Sequence, residues 1–201
     1  MAGAGRRRDG RITPERILEA AMAAIAEDGL ATLTMAALAD RLDTSGGHLL
    51  YYFGSKDRLL LEALRWSEAA LTEERRALLA RRTTADRKLD QFLELYLPRG
   101  PRDPRWTVWI ELWARTTGEG PLRAAQEELD LGWQSDLEVL LAKGAAQGRF
   151  TVPEAEIPER ADTLLALLDG LSTRVVLSQH GTDRAGALRT ARAAARRLVV
   201  A

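Results

Sequence analysis

The sequence predicts an all-α protein, and three observations predict it. Apolar residues recur at helical spacing in one segment after another, and Pro, Gly and small polar residues separate the segments. No period-two apolar alternation flanked by turn signals appears, so strands are not expected. Hydrophobic residues make up 46% and charged residues 29% of the 201, with no Cys, which describes a chain that builds an ordinary core without disulfides. Without Cys and with only His48 and His180, neither a metal site nor any other cofactor is expected. No apolar run approaches the roughly 20 residues needed to span a bilayer, and the basic start of the chain has no apolar stretch behind it. A cytoplasmic, membrane-free location is the expectation.

The elements follow from their punctuation. Thr13, Pro14 and Glu15 are an N-cap, a proline at the first helical position and an acid in the first turn; Gly29 is the stop. Ile17, Leu18, Ala21 and Ile25 share one face, so a first helix spans about 14–28. Thr34 caps a short second helix that buries Leu38 and Leu42 and ends near Asp43. Ser45 caps a third running to about Tyr52, and Ser55 caps a fourth after Gly54. Two short helices joined this tightly, propped by a longer one, form a helix-turn-helix pattern. Long helices then follow at about 55–82, 86–97, 105–117, 121–147, 158–179 and 183–199, for about nine in all. An N-terminal three-helix domain at 1–56 and a C-terminal helical bundle at 57–201 are expected. The formal net charge is zero, but Arg6, Arg7, Arg8, Arg11 and Arg16 face only Asp9 and Glu15, so the chain begins with a basic arm.

A helical wheel of residues 45–53 separates three faces. Leu49 and Phe53 continue the apolar stripe of Leu38 and Leu42. His48, Tyr51, Tyr52 and Ser55 recur at i, i+3, i+4 and i+7 with groups that reach phosphate oxygens. Gly46, Gly47 and Leu50 form a third face at the helix start, where a recognition helix meets base edges; glycine permits close backbone approach and Leu50 can touch a thymine methyl. A plain turn followed by core aromatics is the competing reading.

Residues about 13–60 resemble the DNA-binding domain of the TetR family of transcriptional regulators. The matching residues are Thr34, Ala39 and Leu42, then Ser45, Leu49, Tyr52, Phe53 and Lys56, followed by "DRLLLEAL". Two positions depart from the family pattern: Asp43-Thr44 stands where Gly-Val is usual, and Leu50 where Tyr is commonest. The resemblance implies a homodimeric repressor that binds an inverted repeat in double-stranded DNA and a small effector in its C-terminal domain. The DNA-contacting set is then Thr34, Ser45, Gly46, Gly47, His48, Leu50, Tyr51, Tyr52 and Lys56.

Further along, Trp106, Trp109 and Trp113 fall at i, i+3 and i+7 on one helix, with Trp66 and Trp133 on others. They are either core or the wall of an apolar pocket between helices. In the second case Trp66, Tyr96, Trp106, Trp109, Trp113 and Trp133 bind an apolar or aromatic effector, with Tyr96, Glu111 and Gln134 as candidates for orienting it. The apolar stripe Ala161, Leu164, Leu165, Leu168, Leu171 and Val175, followed by an alanine-rich last helix, either pairs two chains in a four-helix interface or packs within one. His180, beside Gly181, reads as structural. A helical enzyme and a helical adaptor are the rival classes. The acids lie dispersed on what read as solvated faces, with no catalytic constellation, and an adaptor leaves the spacing from Thr34 to Lys56 unexplained.

Overall fold

The computed structural model of the chain describes residues 12–115 and 120–199. Among these, nine α-helices follow one another: α1 (Pro14–Asp28), α2 (Met35–Arg41), α3 (Gly46–Phe53), α4 (Lys56–Ala80), α5 (Ala85–Tyr96), α6 (Pro104–Arg115), α7 (Pro121–Ala146), α8 (Ile157–Val176) and α9 (Arg184–Val199). The basic arm through Arg11, and the last two residues expected for the sixth helix, lie outside the described residues.

The first four helices start where side-chain oxygens take up their free N–H groups. Thr13 accepts from the Arg16 N–H, Thr34 from Ala37, Ser45 from His48 and Ser55 from Arg58, at 3.0–3.3 Å. Gly29 and Gly54 end α1 and α3 at φ 85° and 71°. In the α2–α3 turn Asp43 sits at φ 51°, a conformation that glycine adopts freely and Asp tolerates better than most residues. Ser178 and His180 also take positive φ, which stops α8 at Val176, three residues short of the expected end.

α1 packs on α4 and α6, and α2 and α3 pack on each other. α4 runs unbroken past the division expected after residue 56: it touches α1 and α3 and also α5, α6 and α7. One core runs from Ile17 and Leu49 through Leu60 and Leu64 to Trp106, Leu140 and Val175. α8 is covered by α7 on one flank and α9 on the other. Its stripe of Ala161, Leu164, Leu168, Leu171 and Val175 is therefore buried within one chain, as are Ala187, Ala191 and Ala195 of α9. Of the two readings the sequence left open for this stripe, packing within one chain is the one these buried positions fit. No helix among the described residues is long and apolar enough to cross a membrane.

Candidate DNA-reading surface and buried aromatic cluster

α3 buries Leu49 and Phe53 and turns the rest of itself outward. Leu50 is 47% and Tyr51 82% exposed, high values for such large apolar side chains. His48 and Tyr52 stack edge to face at 5.1 Å, and Tyr51 and Tyr52 at 5.5 Å, so the aromatic face is held in order by its own rings. Thr34 and Ser45 are exposed caps at the starts of α2 and α3, and Lys56 opens α4 beside them. The two glycines have no internal explanation. A Cβ at Gly46 would meet nothing within 4 Å, and one at Gly47 only the Ser45 hydroxyl at 3.9 Å; neither has a positive φ. A glycine costs a helix interior about 1 kcal/mol relative to Ala, and its first turn less, and nothing among the described residues requires either of these two.

The second feature is buried and charged. Glu68 of α4, 2% exposed, accepts from the Trp109 indole N–H at 2.9 Å and Arg105 at 3.1 Å through one oxygen, and from the Trp133 indole N–H at 2.9 Å through the other. Arg75, two turns further along α4, lays its guanidinium 3.9 Å from the centre of the Trp133 ring and donates to Asp136 at 2.6 Å. Trp106 and Arg105 both donate to the Tyr96 carbonyl, at 3.1 and 2.6 Å. Ring contacts of 4.8–6.0 Å join Tyr96 to Trp133 and Trp106, and Trp113 to Trp106 and Trp109.

Asp169 borders these rings, and Asp130 contributes to the field around them. The Tyr96 hydroxyl donates to Asp169 of α8 at 2.5 Å. Removal from water raises the Asp169 pKa to about 6, against the pull of Tyr96 and Arg105. Asp130 of α7 keeps one side open to solvent, yet the protein packed around it, then repulsion from Asp169, Glu68 and Glu127, raises its pKa to about 7. The Tyr96 hydroxyl is pushed well above its ordinary range by burial and by Asp169. Glu68 is balanced by Arg105 and Arg75. Asp169 has only the field of Arg105, already bonded to Glu68, and Asp130 has no described arginine beside it.

Known proteins share both parts. A family model for bacterial regulatory proteins of the tetR family matches residues 17–63. A second model, for the C-terminal domain of BetI-type transcriptional repressors, matches residues 85–200. The chain belongs to the TetR family. The HTH-type transcriptional regulator BetI of Burkholderia mallei is 29% identical over 187 residues, covering 88% of each chain. BetI 2 of Chromohalobacter salexigens is 30% identical over 182 residues, 88% of this chain and 83% of the relative. A transcriptional regulator from Saccharomonospora viridis, crystallised with choline, matches with a TM-score of 0.83 at 28% identity over 94% of this chain and 97% of its own. A TetR regulator from Haloarcula marismortui shares the fold, with a TM-score of 0.76 at 23% identity over 92% of this chain and 95% of its own.

TetR membership makes the chain a DNA-binding, effector-responsive transcriptional regulator and removes the enzyme and adaptor alternatives. Within the TetR helix-turn-helix, Asp43 keeps the positive φ that explains a glycine at that position in the family pattern. Of the six ligand residues expected from sequence, Tyr96, Trp106, Trp109, Trp113 and Trp133 converge. Trp66 does not: it lies two residues from Glu68, on the opposite side of α4, 41% exposed in a surface groove with Met22, Leu71 and Leu95. Gln134 donates along α7 to Glu138 at 2.9 Å. Glu111 is half-buried on α6. Glu68, Arg75, Arg105 and Asp169 were missed, because charged residues read as solvated come together between helices; Asp130, missed as well, stays exposed on α7.

Proposed function

We propose that the protein is a cytoplasmic, homodimeric repressor that leaves its operator when a small organic cation of the quaternary ammonium class enters the aromatic cluster. The surplus of carboxylate beside the indoles carries this reading. Asp169 accepts from the Tyr96 hydroxyl beside Trp106 and Trp133, Asp130 on α7 adds to the negative field there, and a permanent cation offsets that field while its methyl groups lie against the ring faces. An apolar effector, expected from the indoles alone, leaves that field in place. The choline held by the Saccharomonospora regulator belongs to the same chemical class.

Residues 1–56 hold the DNA in this reading and 57–201 the effector and the second copy, with α4 common to both. Gly46, Gly47 and Leu50 face base edges, while Thr34, Ser45, His48, Tyr51, Tyr52 and Lys56 reach the sugar–phosphate backbone. Two copies related by a two-fold axis present two such helices to an inverted repeat. The partner meets the outward row of α8, Thr163, Ala166, Gly170 and Leu177. A Cβ at Gly170 would meet nothing within 4 Å, so this mid-helix glycine also lacks an internal purpose. Glu68 transmits the signal: it bonds the rings of α6 and α7 and is part of the helix that opens at the reading surface. A ligand shifts the equilibrium only through differential affinity for the two states, and a shift of Glu68 supplies it.

The test is a titration of the full-length protein, bound to a duplex selected from a random pool, with choline and with tetramethylammonium. Fluorescence anisotropy should fall as either cation is added, and Asp130→Asn should weaken the response. A protein that keeps its duplex at saturating cation, with no change in tryptophan emission, overturns the reading.

A further inference from the structure

Trp66 is the tryptophan that the aromatic cluster leaves out. Its ring is 41% exposed, and its indole N–H bonds nothing among the described residues, whereas those of Trp106, Trp109 and Trp133 all have acceptors. The ring lines a groove of about 880 Å³ between α4 and α5, walled by Met22 of α1 and Pro104 of α6. Sites that hold small molecules have volumes of this order. We propose that the groove is a second ligand site, distinct from the cluster, for an aromatic carboxylate. The inference stands on the groove itself and does not need the cation-site reading.

The sign of the ligand follows from which charges are already committed. Of the acids lining the groove, Asp103 accepts the backbone N–H groups of Arg99, Arg105 and Trp106 at 2.8, 3.1 and 3.3 Å, which holds the start of α6. Glu94 accepts from Arg192 at 2.6 Å, and Glu74 alone of the three is unpaired among the described residues. Of the arginines, Arg105 is bonded to Glu68. Arg184 donates to the carbonyls of Glu94, Leu97 and Pro98, where the negative end of α5 offsets its charge. Arg81 meets only the neutral Gln91 amide, at 3.1 Å, and the exposed Arg99 guanidinium bonds nothing among the described residues. Two uncommitted cations against one uncommitted anion favour an anionic ligand.

Of these two cations, Arg99 is the one beside Trp66. Trp66 and Arg81 stand about 22 Å apart along α4, further than one ring and a short side chain reach. Arg99 lies at the near end: its N–H bonds Asp103, Asp103 holds Arg105, and Arg105 donates at 3.1 Å to Glu68, two residues from Trp66. A ligand ring laid on the exposed indole also covers the half-buried Leu71 and Leu95. Its carboxylate then faces the Arg99 guanidinium, whose paired N–H donors match two carboxylate oxygens.

Phenylacetate and phenylacetamide share a ring and nearly a shape and differ in charge, so they are the probes, each titrated into the full-length protein by calorimetry. The carboxylate should bind about tenfold tighter than the amide or more, since bonds to an ionised acceptor are about twice as strong as neutral ones. Arg99→Gln should lower the carboxylate to the level of the amide and leave the amide unchanged. Trp66→Ala should weaken both by about tenfold, and Trp113→Ala, in the cluster, neither. Equal binding of the two probes to the parent protein, carboxylate affinity unchanged in Trp66→Ala but lost in Trp113→Ala, or no saturable binding at millimolar concentration overturns the proposal and leaves the cation site standing. If Trp66→Ala does not fold, Ala70→Glu decides. It lies one turn along the same exposed face of α4 and sets a carboxylate against that of the ligand, so phenylacetate binding that survives it refutes the proposal.

Discussion

The reading surface and the effector cluster employ the same residue types to opposite ends. On α3 a tyrosine is 82% exposed and two glycines border open space; around Glu68 the indoles of Trp106, Trp109 and Trp133 are buried and their N–H groups find acceptors within the chain. One region leaves its hydrogen-bonding groups exposed, and the other uses nearly all of them internally. A surface of the first kind tolerates substitution in stability and loses function, while a cluster of the second kind couples the two.

The largest effect tests that coupling. Glu68→Ala leaves two guanidinium groups and two indole N–H groups facing a lost acceptor, and should destabilise the fold by about 3–5 kcal/mol, as breaking a buried ion pair does. Thermal denaturation measures it, and Glu68→Gln, which still accepts from the indoles, should fold better while responding poorly to cation. Trp113→Ala comes next. Trp113 is half-buried, unlike Trp109, so its loss should spare folding and operator binding yet cost about tenfold in cation affinity by fluorescence titration. A Trp113→Ala chain with unchanged affinity would place the ligand elsewhere.

Smaller effects arise from pH. Asp130 and Asp169 have folded pKa values raised to about 7 and about 6 from 3.8, so between pH 4 and 7 the native state binds more protons than the unfolded chain. Stability contributed by these groups is therefore fully present below about pH 4 and falls as pH rises toward 7. Cation affinity runs the other way, increasing from pH 5 to 8 as the pair ionises; Asp130→Asn should flatten both curves in urea melts and calorimetry. The smallest effect on stability is the most diagnostic in sign. Gly47→Ala should stabilise the protein by at most about 1 kcal/mol, since the added methyl meets open space in a helix. It should nonetheless weaken operator binding in an anisotropy assay. A stabilised variant with undiminished binding would detach Gly47 from the DNA.

The contrast also explains what could be read in advance. Caps and stops are local in the chain: Thr13, Thr34, Ser45 and Ser55 each accept the bond their position implies, so the helix-turn-helix is legible from a dozen residues. The cluster draws on α4, α5, α6, α7 and α8, and no stretch of sequence holds it. A signal was present all the same. Leu64, Glu68, Leu71, Arg75 and Leu78 follow a 4-3-4-3 spacing, an inward stripe of α4 in which two positions carry charge of opposite sign. Asp169 offers no such mark, because its partial burial depends on tertiary packing around α8. The α8 stripe stayed open between two readings for the same reason: spacing shows that a face is apolar, while only tertiary packing shows which helix covers it.

Arg75 rests its guanidinium on Trp133, so the ring that an incoming cation would use already has an occupant. A rival tethered to the fold has an effective concentration that no dilution lowers. The threshold at which such a sensor responds is then the outcome of a contest with its own arginine rather than the bare affinity of the rings. Substitutions around Arg75, at Asp136 or Thr72, would move that threshold up or down without altering any group that touches the ligand.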